Sequence, residues 1–165
     1  ARFPGLCTTA LRLSTLFGVS PRMRFDLTIN EFVLQLLTRR HLVVFGEQFW
    51  RPYAHVHDAA RAFALILSRP QAEVDHQVFN VGADNLNYRK SDLLKLIAPL
   101  APQANIERVQ KNEDPRDYRV GFSKIRARLG YATEHSVESG IHEIARLVTQ
   151  GILPDLKSAE FTNTP

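Results

Sequence analysis

Short β-branched and apolar runs alternate along this chain with segments whose apolar residues recur at helical spacing. That alternation restricts the fold to strands packed against helices, an α/β architecture. Thr8 to Leu13 follows a Pro-Gly turn, carries Arg12 as its one charge, and reads as a buried strand ending near Ser14 and Gly18. Between Asp26 and Arg40, the positions Leu27, Ile29, Phe32, Val33, Leu36 and Leu37 fit a helix with Asp26 as its cap. His41 to Phe45, closed by Gly46, is a second strand. Arg51 to Val56 is a third, which Pro52 restricts to a sheet edge or a strand start. Asp58 then caps a helix through Leu67, stopped by Pro70. The second half repeats the grammar: a strand over Gln77 to Val81, a turn from Gly82 to Asn87, and a helix from Ser91 as cap through Leu100. A strand at Asn105 to Val109 and a polar loop from Gln110 to Asp117 come next. Helices from Ser123 to Gly130 and from Ser136 to Gln150 follow, the last stopped by Gly151. Residues 154–165 have little periodicity and are expected to fray.

The 165 residues suit one sizeable core, and 44% hydrophobic with 23% charged residues argue against a disordered tail or a fibrous repeat. No apolar run approaches the roughly 18 residues of a membrane span. Cys7, the single cysteine, cannot form an internal disulfide, and no signal-peptide progression opens the chain. A reducing, cytoplasmic setting is the expectation. Ala1, followed at once by Phe3-Pro4-Gly5, reads as a connection inside something longer. The net charge of +4 hides a bias, since 16 of the 21 cations are arginine. Arginine presents a planar fork suited to carboxylates and phosphates, where lysine is a point charge. Arg39, Arg40, Arg126 and Arg128 read as solvated helix faces. The cations are spread among 17 acids with no zinc-finger or helix-turn-helix signature, so nucleic acid is not an expected partner.

The eight glycines fall at 5, 18, 46, 82, 121, 130, 140 and 151, never closer than nine residues apart. Neither a dinucleotide fingerprint nor a P-loop can be built from that spacing. Four residues after Tyr53, Tyr88, Tyr118 and Tyr131 stand His57, Asp92, Phe122 and His135, so no Tyr-x-x-x-Lys pair is present. His55 and His57 share a face, but the sequence shows no further ligand beside them and no metal is expected.

Leu11-Arg12-Leu13-Ser14-Thr15-Leu16-Phe17-Gly18 resembles the Leu-Arg-x-x-Asn-Val-Tyr-Gly segment of the extended short-chain dehydrogenases, the NAD-dependent epimerases and dehydratases of sugar nucleotides. Val43-Val44-Phe45-Gly46, the stretch from Arg51 to Ala62, and Val78-Phe79-Asn80-Val81-Gly82 follow in the family's order. Asp117 through Lys124 and Leu129-Gly130-Tyr131 complete a resemblance covering nearly the whole chain. It implies the C-terminal part of a Rossmann-like NAD(P)-binding fold plus the small substrate-binding domain. Residues 1–20 would be the last strand or strands of the nucleotide-binding sheet. Residues 21–153 would be the substrate-binding region, with one or more strands returning to that sheet. In that family the glycine-rich loop and the catalytic Tyr-x-x-x-Lys lie upstream of the Leu-Arg strand. The resemblance therefore implies that the N-terminal half is missing here. NAD or NADP would serve the complete enzyme, while this chain alone is expected to be inactive and to hold neither tightly.

The family's site residues carry over in part. The resemblance implies that Thr15, standing where relatives have an asparagine, contacts the sugar nucleotide, and that Ser14 and Leu16 lie near the nicotinamide. The other reading of the three is a strand terminus with local hydroxyl bonding, since a hydroxyl cannot replace both ends of an amide. Val43 and Phe45 match positions that bracket the nucleotide base, or are two core residues of a buried strand. Arg51 matches the arginine that reaches the nucleotide diphosphate, where a guanidinium can bind in two parallel bonds. His55 reads as a packed or hydrogen-bonded histidine and Asp58 as a helix cap. Many relatives place a second arginine where Glu113 stands, so Arg116, or Arg119, supplies that charge, with Arg119 alternatively paired to Asp117. Arg24 and Asp26 lie where the family closes over its substrate. A nucleotide sugar is the implied partner, with a homodimer or another association through exposed apolar surface. The competing reading is a non-catalytic remnant that binds a nucleotide or another protein.

Overall fold

The computed structural model describes residues 5–110, 116–152 and 161. The expected frayed segment 154–165 lies outside the described residues, Phe161 excepted, whose ring is buried edge-on against Phe25 with centroids 5.9 Å apart.

Strand β1 (Thr9–Leu13) runs parallel to β5 (Gln77–Val81), with Leu11 opposite Phe79 and Leu13 opposite Val81. A second sheet has the order β2 (Thr15–Phe17), β4 (Trp50–His55), β6 (Asn87–Arg89), parallel in its first pair and antiparallel in its second. β3 (His41–Phe45) pairs in parallel with β7 (Asn105–Val109). The helices are α1 (Thr28–Arg39), α2 (Val56–Leu67), α3 (Gln71–Val74), α4 (Lys90–Ile97), α5 (Ser123–Leu129) and α6 (Val137–Thr149). Strands and helices alternate as the hydrophobic pattern requires, and the parallel pairs need the crossovers that the helices provide.

Two cores result. The larger gathers Ile29, Val33 and Leu36 of α1, Leu42 and Val44 of β3, Leu93 and Ile97 of α4, and Ile141 and Ile144 of α6. The smaller packs Phe79 and Val81 of β5 against Ala62 and Ile66 of α2 and Ile125 and Leu129 of α5. β1 departs from the expected buried strand: Ala10 and Arg12 are exposed and Leu13 is 42% exposed. Residue type encodes a strand, but which of its faces and edges are covered depends on neighbours that local sequence does not name.

Helix starts also differ from expectation. α1 begins after Leu27, without a side-chain cap, and Asp26 instead pairs with Arg24. α2 begins at Val56 with His55 as its cap, its Nδ1 accepting the His57 N–H at 3.3 Å, which places Asp58 inside the helix. α4 begins at Lys90, the Asp92 carboxylate reaching back to the Arg89 N–H at 3.3 Å, so Ser91 is not its cap. In α2 and α4 a side chain one to three positions from the expected cap makes the N-terminal hydrogen bond in three dimensions. Local type alone does not decide such a competition. The helix expected through Leu100 ends at Ile97, where Pro99 forces a tighter 3-10 turn over Ala98–Leu100. α3 and β6, the second begun within the expected turn, were not expected from periodicity because they span four and three residues.

Candidate functional site

β1 ends at Leu13, and the next residue turns inward. Ser14 is buried and its hydroxyl donates to the Val81 carbonyl at 2.8 Å. Thr15 and Leu16 are half-buried on β2, paired in register with Tyr53 and Ala54 of β4. The strand closes at Gly18, whose φ of +102° suits glycine, and a Cβ there would sit 2.2 Å from His55 Nε2. The Leu-Phe-Gly run thus lets a loop press against a buried histidine.

His55 is fully buried at the end of β4, and its Nε2 lies 2.8 Å from Glu143 of α6. With Nδ1 accepting from His57, Nε2 carries the proton and donates to that carboxylate. Burial pushes the His55 imidazolium down, against the opposing pull of Glu143. His135 stacks on His55, with centroids 4.1 Å apart and planes 11° from parallel, and ligand nitrogens of His55, His57 and His135 lie within 4.8 Å of one another. Sequence spacing could not show this third histidine, which is 78 positions beyond His57. Both nitrogens of His55 are engaged, and stacked parallel rings point their lone pairs side by side instead of at one point. As arranged, the trio does not converge on a metal ion.

Asp58, fully buried in the first turn of α2, is an anchor: it accepts the N–H groups of Glu134 at 2.9 Å and His135 at 3.0 Å and the Arg61 guanidinium at 3.0 Å. Burial pushes its carboxyl up, but these donors outweigh burial and hold it below the usual carboxylate range. The Tyr131 hydroxyl donates to the Asp58 carbonyl at 3.0 Å, and burial carries that phenol up to about 12.

The arginines divide. Arg24 and Asp26 form a two-point fork at 2.7 and 2.5 Å and hold each other in the loop before α1. Arg51 is buried on β4, its Nη1 donating to the Trp50 carbonyl at 2.7 Å and to the Arg116 carbonyl. Its guanidinium also lies 5.7 Å from the centre of the Tyr118 ring. Asp117 accepts the Trp50 N–H at 2.7 Å, and Arg119 lies on the Trp50 ring at 4.9 Å. Arg51, Arg116 and Arg119, separated by 65 or more positions across the first pair, therefore meet at one junction, whereas Arg24 and Asp26 have each other as partners. Glu113 lies outside the described residues. On β3, Leu42 and Val44 form the buried face, and Val43 and Phe45 lie on the other, with Phe45 53% exposed. The reading of these two as core residues of a buried strand does not hold for Phe45. Lys90 Nζ reaches its carbonyl at 2.8 Å and ties this strand end to α4.

Among the described residues no helix is long and apolar enough to cross a membrane. Residues 1–82 match the sequence profile of the NAD dependent epimerase/dehydratase family. The fold is similar to a UDP-glucose 4-epimerase from Thermotoga maritima with UDP-glucose, at TM-score 0.74 and 24% identity, over 92% of this chain and 49% of that one. It is similar to a dTDP-glucose 4,6-dehydratase from Bacillus anthracis in complex with NAD, at 0.70 and 22%, over 85% and 44%. A third likeness is to RMD from Pseudomonas aeruginosa complexed with NADPH, at 0.69 and 19%, over 85% and 48%. The chain spans about half the length of the solved structures it matches.

Proposed function

We infer, from a chain whose residues 1–82 belong to the NAD dependent epimerase/dehydratase family and whose fold is that of Rossmann-like epimerases and dehydratases, that it supplies the substrate-binding portion of an enzyme acting on a nucleotide sugar. The observation that carries this reading is the junction of β4 with residues 116–119. There, Arg51 and Arg116 come together from distant positions, and at the end of β3 the Phe45 ring is exposed. An exposed aromatic ring suits a base, and arginine forks suit a diphosphate. Arg51 supports that surface by holding the Arg116 backbone, and Arg116, on an exposed loop, is the guanidinium we assign to the diphosphate. These residues bind and orient, which is positioning and not proton transfer.

In this reading residues 1–20 belong to the nucleotide-binding sheet and 21–153 form the substrate-binding region. The β1·β5 pair supports it: parallel sheets are ordinarily covered on both faces, yet here Ala10, Arg12 and Val78 face solvent. The residues present do not fit a dinucleotide on their own. The glycines are too widely spaced for a pyrophosphate loop, and the Ser14 hydroxyl is committed to Val81. The cofactor's hydride chemistry would then rest with residues outside this chain.

Calorimetric titration with uridine diphosphate tests the binding, with a saturable signal expected in the intact chain and a roughly tenfold weaker one in Arg116→Gln. Absence of any nucleoside-diphosphate binding removes the substrate-binding reading. Epimerase or dehydratase turnover by the 165 residues alone would instead overturn the assignment of catalysis elsewhere.

A further inference from the structure

Trp50 is the one tryptophan of the chain, and two guanidinium groups lie on its ring, Arg89 at 4.8 Å and Arg119 at 4.9 Å from the centroid. Arg89 is its partner across the antiparallel β4·β6 pair, and Arg119 arrives from the segment after Asp117. Several other arginines that bridge elements meet acids: Arg61 meets Glu134, Arg108 meets Glu47, and Arg126 meets Asp84. Among the described residues, Arg89 and Arg119 meet the indole instead. Asp92 feels the Arg89 charge without an ion-pair contact. Two like charges held against one ring repel each other, and a bound anion relieves that repulsion.

Trp50 and Arg119 also line an open cleft of about 450 Å³ with Asp84, Asn87, Val120 and Gly121. Its one acid is engaged, since Asp84 accepts the Phe122 N–H at 3.0 Å and lies 3.4 Å from Arg126. The Asn87 amide is engaged too, with Val120 N–H at 2.9 Å and the Val120 and Asp84 carbonyls at 3.0 Å. Among the described side chains that line the cleft, this leaves the Arg119 guanidinium and the Trp50 indole N–H as donors to a ligand, with Arg89 beside them. Trp50 and Arg51 are consecutive on a strand, so their side chains project to opposite faces. The cleft therefore lies across β4 from the Arg51 side chain.

We propose that Trp50, Arg89 and Arg119 form a second binding site, specific for an oxyanion, either a phosphate or a carboxylate group. The inference stands whether or not the nucleotide-sugar reading does. The planar forks bind the oxygens, and the indole holds both forks in place, which reduces the ordering that binding requires.

Trp50 itself reports on this site, because all tryptophan emission of the chain comes from it. The full chain is titrated with sodium pyrophosphate and, separately, with citrate, at ionic strength fixed by sodium chloride. A saturable change in Trp50 emission is expected with at least one of them. Saturation by pyrophosphate alone assigns a phosphate ligand, by citrate alone a carboxylate, and by both a general oxyanion site. The apparent Kd should rise about tenfold or more in Arg119→Gln and in Arg89→Gln, less in Arg119→Lys, and remain unchanged in Arg39→Gln at the end of α1. Far-UV circular dichroism of each variant accompanies the titration. No saturation with either anion in the unaltered chain overturns the proposal, whatever the variants do. So does a response lost in Arg116→Gln and retained in Arg119→Gln, which would place the anion on the Arg51 side of β4.

Discussion

The two cores of this protein are built from similar residues and differ in enclosure. Around α1, α4, α6 and β3, apolar side chains are covered from every side: Val33, Leu36, Leu42, Leu93, Ile97 and Ile144 are all fully buried. The β1·β5 sheet is covered by α2 and α5 on one face, while Leu13, Val78 and, just before β1, Leu6 reach solvent. The difference teaches that the first region stabilises itself and the second presents a surface. An exposed strand edge with bare apolar side chains is a template for association.

The sharpest test of the contrast is a pair of truncations. Leu36→Ala should cost about 3 kcal/mol, by transfer loss plus a cavity the packed helices cannot close. Leu13→Ala should cost less than about 1 kcal/mol, because much of that side chain is already in water. Equal losses in urea denaturation would break the distinction between the regions.

Asp58 joins α2 to the approach of α6, and Asp58→Ala leaves two half-buried N–H groups without their acceptor and takes one of its partners from Arg61. The expected loss is roughly 2–3 kcal/mol, measured by the same melts. The sign with pH follows from the depressed carboxyl: its stabilisation is complete above the ordinary carboxylate range and is lost as pH falls through the lower folded value. The Asp58→Ala chain should therefore show a flatter stability profile between about pH 5 and 2 than the unaltered one. An identical slope in both would remove Asp58 as the origin of that acid sensitivity.

Gly140 lies in α6 where a Cβ would stand 2.3 Å from the Phe17 ring and 3.3 Å from His55. Gly140→Ala should destabilise by about 1–2 kcal/mol although alanine is the better helix former, because overpacking at the Phe17 ring outweighs propensity. A stabilised variant would show that α6 can shift away from β2.

The smallest expected effect on stability falls on the open sheet. Val78→Lys should change unfolding free energy by under about 0.5 kcal/mol while moving size-exclusion elution toward the monomer. An unchanged elution profile would deny this face a role in association.

Much of the fold was legible because periodicity is a local property. The strand at 41–45 and the helices over 123–129 and 137–149 fall within a residue or two of their expected bounds. The candidate site was legible only by residue type. Arg51 and Arg116 could be named in advance, but not that Arg51 would be buried and hold the Arg116 backbone. Nor did the sequence suggest that Arg89 would lie beside Trp50 with Arg119, or that His135 would stack on His55, since those contacts join residues 30 to 80 positions apart.

What the sequence determined by itself was the α/β class, the absence within it of a glycine-rich phosphate loop, and the set of arginines from which an anion site can be built. Each depends on spacing along the chain, which folding does not alter. Tertiary structure alone decided which arginines meet acids, which meet an aromatic ring, and which face of β1 lies open. Those outcomes depend on competition among distant partners for the same donors and the same apolar surface, and no local pattern records the winner.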